Sequence, residues 1–540
     1  VNATTALLEV SNLPEFQNTN GQGADNTIDT TFFWTWGSQF AGQQVPHPFS
    51  IAEYANSFPQ FQGAEVEYKA AEDNVNDFFQ TGQGQILSVL ISKSFDDNSS
   101  ISASFGRTDQ TGYIDENGIR RYNFGFGART KLSNKLSLNT SVTYNNTFTK
   151  RPTRNFFTLL TWIPRNLDIQ NLPFEDPNDG SSVYYRTTIT NPRWQQKYTA
   201  FNETTNRIFI KGGLDYELSD KIRASYIYSL DNASARNEDY QAKGGADSPL
   251  GFLQTFERVD RVTNHRFSLS GSNFNWAKDF STNVVLGGEA KSVEVGTMGL
   301  FSEDQIVFNF NRHNNFRTQA PIEFNSQVNT VGIYGQIETA YKDYAFLTLS
   351  GRNDWGSTVE DENKSLFYPS VSLALIPTSM WESLKGAGNN YLKLRGSFGT
   401  SANFPHAYLT RENWTAQANA YINPFSGGIV STNSLSSFLP NPDLKPELLK
   451  EYEVGIEGRL FNNFIDFDVS AYKRIVEDQI LSSGLAPSTG FSSTVINAGR
   501  IDTDGLEVSL TLNPFISREQ GGFNWIMSNI FTANETTVID

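Results

Sequence analysis

Between Tyr452 and Leu460 apolar and polar positions alternate. Tyr452, Val454, Ile456 and Leu460 fall on one side of an extended chain and Glu453, Glu457 and Arg459 on the other, because strand side chains point to opposite faces in turn. Past Asn462 and Asn463, which tolerate positive φ, the pattern resumes with Ile465, Phe467, Val469 and Ala471 opposed to Asp466, Asp468 and Ser470. This predicts an antiparallel hairpin with one apolar and one polar face.

The plan repeats along the chain. A first strand is expected near 5–12. Hairpins follow at 86–95 with 101–107, 122–130 with 136–144, 208–218 with 222–230, 261–276 with 281–293, and 331–341 with 345–352. Strands at 366–374 and 391–399 are joined through SMWESL, which reads as one helical turn, and further strands end at Leu512 and run over 523–534. The best helical candidate is the apolar run 156–163, closed by Pro164. The count is about 17 strands.

Short connections alternate with long ones along almost the whole chain, so an up-and-down arrangement puts every short turn at one end and every long loop at the other. Greek-key sandwiches and propellers do not give this parity. Outer-membrane barrels do, with an apolar face to lipid and a hydrated face to the lumen. The expected fold class is therefore all-β, a transmembrane antiparallel up-and-down β-barrel. An open edge in lipid would leave main-chain groups unpaired at several kcal/mol each, so further strands are expected to close the wall. No run reaches the ~20 apolar residues of a membrane helix, but a spanning strand needs only ~9–11 alternating residues, so this says nothing against a barrel.

Composition narrows the partners. With 42 Phe and 21 Tyr but 3 Met among 540 residues, half-buried strands are favoured over packed helices. The formal net charge of -16 sets nucleic acid aside as a partner. The absence of cysteine removes disulfides and thiolate chemistry and is compatible with export. VNATTALLEV lacks the basic start and apolar core of a signal peptide, and the last residues stop inside a strand-like segment, so both ends are expected to be cut points.

Several segments then resemble one family. NPDLKPE at 441–447, EYEVGIEGRLFNN at 451–463, YKR at 472–474, DQIL at 478–481 and INAGRIDTDGLEVSL at 496–510 are similar, in order, to barrel motifs of the SusC/RagA family of TonB-dependent outer-membrane transporters. SNLPEFQNTNGQG at 11–23 resembles its first barrel strand running into a loop, DNVNDFFQTG at 73–82 the approach to the second strand, and NLDIQNLPFEDP at 166–177 and NPRWQ at 191–195 its loop sequence. The resemblance implies a 22-stranded barrel of which about 17 strands are present, so that 1–540 is one barrel domain, incomplete at its C-terminal end and lacking the plug and TonB box. It further implies import of a bulky oligosaccharide or peptide across the outer membrane of a Gram-negative bacterium. The implied partners are a SusD-like lipoprotein, TonB acting through an N-terminal segment, outer-membrane lipid, the nutrient ligand and a dimer of transporter–lipoprotein pairs. SFGTSANFPHAYL departs from the family by lacking the Gly-Asn expected after that strand.

No catalytic, cofactor-binding or metal-binding residue is expected. The four histidines, His47, His265, His313 and His406, have no ligand spacing. Asp466 and Asp468 are i and i+2 on one strand and read as hydrated wall rather than a glycosidase pair. DENG at 115–118 and DPNDG at 176–180 lack a full calcium ligand set and read as turns. Aromatic residues assigned to long loops are candidates for contact with substrate or lid: Phe32, Trp34 and Trp36, with Phe33 between them; Tyr184 and Tyr185; and Arg352 and Trp355 of RNDW. Flat rings stack on sugars or side chains and an arginine forks to a carboxylate. The competing account for each is loop packing or an interfacial girdle. Competing functions are a non-transporting outer-membrane scaffold, a soluble all-β glycan-binding protein and a glycoside hydrolase.

Overall fold

The computed structural model describes residues 1–151, 156–386, 388–515, 517 and 521–539. Its frame is one antiparallel meander of 17 strands: β1 (Asn2–Leu8), β2 (Gly82–Asp96), β3 (Ser99–Thr111), β4 (Gly118–Lys131), β5 (Leu136–Arg151), β6 (Thr199–Ser219), β7 (Ile222–Gln241), β8 (Phe252–Phe274), β9 (Phe280–Gln305), β10 (Phe316–Tyr341), β11 (Ala345–Gly356), β12 (Ser365–Leu375), β13 (Asn389–Asn403), β14 (Glu447–Leu460), β15 (Ile465–Glu477), β16 (Arg500–Phe515) and β17 (Trp525–Ile539). Each pairs with the next. Among the described residues β1 pairs only with β2 and β17 only with β16, so the sheet has two free edges.

The cross-strand register carries the alternation around the wall. Ile337 stands opposite Leu349, Leu349 opposite Val371, Val371 opposite Phe398 and Phe398 opposite Tyr452. Ile456 then faces Val469, Val469 faces Val508 and Val508 faces Phe531. This face turns outward, with Val454 64% exposed, as a lipid-facing surface requires. The opposite face carries Glu453, Glu457, Asp466 and Asp468, so the 452–471 hairpin has its apolar and acidic faces as its pattern predicts. The tight turn holds Phe461, Asn462 and Asn463 at φ 53°, 55° and 66°, a conformation that asparagine tolerates better than most residues.

The strands outrun their expected ends toward the long loops. The pattern predicts 281–293 and 331–341, whereas β9 and β10 each run 26 residues. Beyond the apolar band the outward face turns polar, with Ser292 and Glu294 on β9 and Asn325, Gln327 and Asn329 on β10, and the apolar residues that remain fall on both faces, so pairing continues while the period-two signal disappears. For the same reason RNDW, expected in a loop, lies inside β11. The first strand spans Asn2–Leu8 rather than 5–12. The predicted helix is present as α1 (Phe156–Thr161), and SMWESL forms a helical turn at Pro377–Met380 and a 3-10 turn at Glu382–Leu384.

Bulky inward side chains lie flat on the sheet where their cross-strand partner is glycine. Tyr334 is opposite Gly287, Arg395 opposite Gly455 and Tyr472 opposite Gly505. A Cβ on Gly287 would sit 2.3 Å from Cζ of Tyr334. Gly287→Ala is therefore expected to lift the ring at a cost of about 1–3 kcal/mol, read as a lower temperature for loss of the heat-modifiable band in detergent; an unchanged temperature would refute the packing.

Candidate functional site

Two regions stand out: a polar basin on the inner wall and a packed cap built by the long loops. The basin holds about 410 Å³ and is lined by Arg266, Tyr334, Gln336, Ser350, Arg352 and Tyr368. Strand parity brings these residues, from β8, β10, β11 and β12, to one face. Arg352 Nε donates to Asp354 Oδ1 at 2.8 Å and to the Tyr368 hydroxyl at 3.1 Å, and Arg352 Nη1 lies 2.9 Å from Glu289 Oε2. Glu289 Oε1 also accepts from Asn264 and Arg266 at 2.8 and 3.1 Å. A second node lies on β13–β15, where Arg395 forks to Asp468 at 2.7 and 3.0 Å and reaches Glu453 at 3.1 Å. Charge-assisted, bidentate contacts of this kind fix side chains along a hydrated wall. Both carboxylate oxygens of Asp468 are engaged in the Arg395 fork.

The cap is a hydrophobic core of its own. One cluster joins Val75, Phe78, Leu160, Ile163, Leu167, Ile169, Tyr184 and Tyr185; a second joins Trp194, Tyr198, Tyr240, Leu253 and Phe316; a third joins Phe49, Tyr54, Phe58 and Val183. The loop segments 73–82, 166–177 and 191–195 provide its scaffolding. Asn74 Nδ2 donates to the carbonyls of Pro164 and Leu167 at 2.9 and 3.1 Å. Buried Arg165 donates to Asn18 Oδ1, Asn74 Oδ1 and the Glu72 carbonyl, and burial lowers its pKa. Asn191 caps α2 (Pro192–Tyr198) by accepting from the Arg193 amide at 2.9 Å. Arg193 donates to the carbonyls of Ile169, Gln170 and Leu172, and Trp194 Nε1 donates to the Gly180 carbonyl at 2.8 Å. DPNDG is spent on turn bonds, with Asp176 and Asp179 side chains accepting from the Asn178 and Ser181 amides. Among the described residues there is no group of three or more His, Asp or Glu placed to hold a metal ion.

The sequence candidates divide. Phe32 stacks on Phe33 at 5.4 Å and meets Trp34 edge-on at 5.3 Å. Trp34 and Trp36 are 52% and 66% exposed. Tyr184 and Tyr185 are only 4% and 2% exposed, with unpartnered hydroxyls whose pKa values burial raises; in this conformation they pack the cap and offer no outer surface. Arg352 and Trp355, grouped by proximity in sequence, stand on opposite faces of β11, Arg352 in the basin and Trp355 outward opposite Val331. Glu289, Arg266 and Tyr368 were not singled out, since each reads as one polar position among many until the register pairs them. Trp162 and Arg186 were also missed, because only the fold brings them to Phe33.

Two loop-end predictions follow from the geometry. Trp194→Ala should cost the cap about 3–5 kcal/mol and open 156–198 to protease while the wall stays folded; unchanged cleavage would count against an independent cap. The loops 357–364 and 404–446 are latched by Glu360, which accepts from Arg411 Nε and Nη2 at 2.8 and 2.7 Å and from Thr410 at 2.9 Å. Arg411 first, then Thr410, hold its pKa down to about 2. A depressed carboxylate stabilises above its ordinary pKa and stops doing so as pH falls through the depressed value. The latch should thus hold at neutral pH and release only as pH approaches 2, while Glu360→Gln weakens it at neutral pH and removes that pH dependence, both read by amide exchange in 357–364.

Residues 163–539 match the family described as TonB dependent receptor-like, beta-barrel. TonB-dependent receptor P26 of Formosa agariphila is 25% identical over 531 residues, covering 92% of this chain and 51% of the relative. TonB-dependent receptor P3 of the same organism is 21% identical over 383 residues, covering 60% and 35%. The chain thus spans about half, or less, of the length of these curated relatives. The RagAB peptide importer in its open-open state is similar in fold, with a TM-score of 0.80 at 17% identity over 100% of this chain and 60% of that one. With more than half of its length matched, the chain belongs to the TonB-dependent receptor-like β-barrel family of the Gram-negative outer membrane.

Proposed function

We propose that this chain is the barrel wall of a TonB-dependent importer that moves a bulky nutrient, an oligosaccharide or a peptide, without chemical change. In this reading 1–540 forms one wall domain. The plug, the TonB box and the closing strands belong to a longer protein, in keeping with relatives of about twice the length. A SusD-like lipoprotein lids the long-loop end, and such pairs assemble as dimers. The observation that carries the reading is the pairing of a charge-latticed inner face with a separately packed cap of long loops. A scaffold needs only the wall, whereas capture and release call for a polar passage with a structured mouth.

The test is genetic and biochemical together. Deleting the gene should abolish growth on one nutrient, and collapse of the proton gradient should stop its uptake through the intact protein. The complex purified in detergent should carry a lipoprotein in equal amount. Growth unaffected on every carbon and nitrogen source, or uptake indifferent to the gradient, would refute the importer.

A further inference from the structure

The cap exposes one surface that neither the wall nor the latch uses. Trp34 lies 5.6 Å from Phe33, Phe33 lies 6.1 Å from Trp162, and the Arg186 guanidinium sits 5.3 Å from the centre of the Phe33 ring. Phe33 is rooted in the first hydrophobic cluster of the cap, so the middle ring is anchored while Trp34 and Trp162, 52% and 51% exposed, flank it. Three loop segments distant in sequence therefore converge on one array of rings, with Phe32 stacked behind it. Exposed aromatic rings gathered in one patch mark an interaction surface more often than scattered ones do.

The chemistry around the array selects its ligand. A peptide main chain finds few free partners here, because the Trp34 carbonyl accepts from the Gly23 amide, the Trp36 amide donates to the Gly23 carbonyl and the Trp36 carbonyl accepts from the Asn26 amide. A peptide bound by strand addition needs those groups unpaired. A cationic side chain meets Arg186, which already occupies a place on the central ring, and among the described residues no carboxylate is ion-paired with that arginine. A polyanion meets the loop 9–81, which carries ten carboxylates and one lysine of its own, with Arg165 set beside Glu72 and Asp73; the excess of negative charge disfavours an acidic chain. What the array accepts is an uncharged ligand with C–H faces for the rings and hydroxyls for the guanidinium.

We propose that Trp34, Phe33, Trp162 and Arg186 form a stacking platform for a neutral oligosaccharide at the mouth of the barrel. This rests on the importer reading for its purpose and on the ring geometry for its ligand. Phe33 and Arg186 hold the centre, and the two tryptophans each cover the face of one sugar unit.

The test is calorimetric titration of the full-length protein, purified in detergent, with cellotetraose, maltotetraose, xylotetraose, tetragalacturonate and tetralysine. At least one neutral tetrasaccharide should bind. Trp34→Ala and Trp162→Ala should each weaken it about three- to tenfold, the loss of one stacking contact, and Arg186→Gln should weaken it in the same range. Trp276→Ala, an exposed tryptophan beside the short turn between β8 and β9, should leave binding unchanged. Absence of binding by all three neutral sugars, tighter binding of tetragalacturonate or tetralysine, or binding indifferent to Trp34→Ala and Trp162→Ala would overturn the platform. Gradient-driven uptake that persists while no neutral sugar binds sinks the platform and spares the importer; sugar binding in a strain that loses no uptake on deletion does the reverse.

Discussion

At the depth of the apolar band every main-chain N–H and C=O must be bonded to a neighbouring strand, because lipid offers no partner and each orphan group costs several kcal/mol. Everything else in this wall follows from that demand. Continuous pairing fixes the register, register fixes which side chains share a face, and a slip of one residue would exchange the two faces outright. The row from Ile337 through Leu349, Val371 and Phe398 to Tyr452 stays apolar across five strands because no slip is tolerated. The inner lattice of Arg352 with Glu289, and of Arg395 with Asp468, is the same register seen from the other side.

The glycines opposite Tyr334, Arg395 and Tyr472 are part of this arrangement. A strand interior gains nothing from glycine in isolation. Here the missing Cβ lets a ring or guanidinium lie along the sheet instead of projecting into the passage. The result is a wall whose charges are present but held down, two or three acceptors to each arginine. Around Arg352 and Arg395 the surface is wet but its charge is largely matched, since each of these cations is already met by carboxylates. The negative charge of the chain lies disproportionately in the first long loop, so the unbalanced charge sits at the long-loop end rather than along the wall.

What could be read from the sequence was what has a period. The hairpin around Asn462 and Asn463, its two faces and the parity of short and long connections all rest on alternation within a dozen residues, and each is present. The ends of β9 and β10 were not legible, because above the band the outward face turns polar, the remaining apolar residues fall on both faces and the period that announces a strand vanishes. RNDW was misplaced for the same reason, and pairing Arg352 with Trp355 ignored the odd spacing that sets them on opposite sides. The cap was hidden for a different reason. Phe49, Leu160 and Trp194 have no local pattern; the cap that buries them is held by contacts between segments far apart in sequence, such as Asn74 to Pro164 across 90 residues and Arg165 to Asn18 across 147.

That contrast also explains why the loop motifs were recognisable before their role was. NLDIQNLPFEDP supplies Leu167 and Ile169 to one cluster and carbonyls to Arg193, while NPRWQ supplies the helix cap, that arginine and the buried tryptophan. These residues are constrained by partners in another segment of the same long connection, so the spacing within a motif reflects geometry between motifs. A cap held this way is fixed at both ends, by bonds among its loop segments and by the packing of Trp194 and Tyr198 against Tyr240, Leu253 and Phe316 at the ends of wall strands. The rings of Trp34 and Trp162 inherit that stiffness through Phe33. A binding surface whose side chains are already fixed loses less entropy on taking up a ligand, which is the physical advantage of building it on a packed cap rather than on free loops.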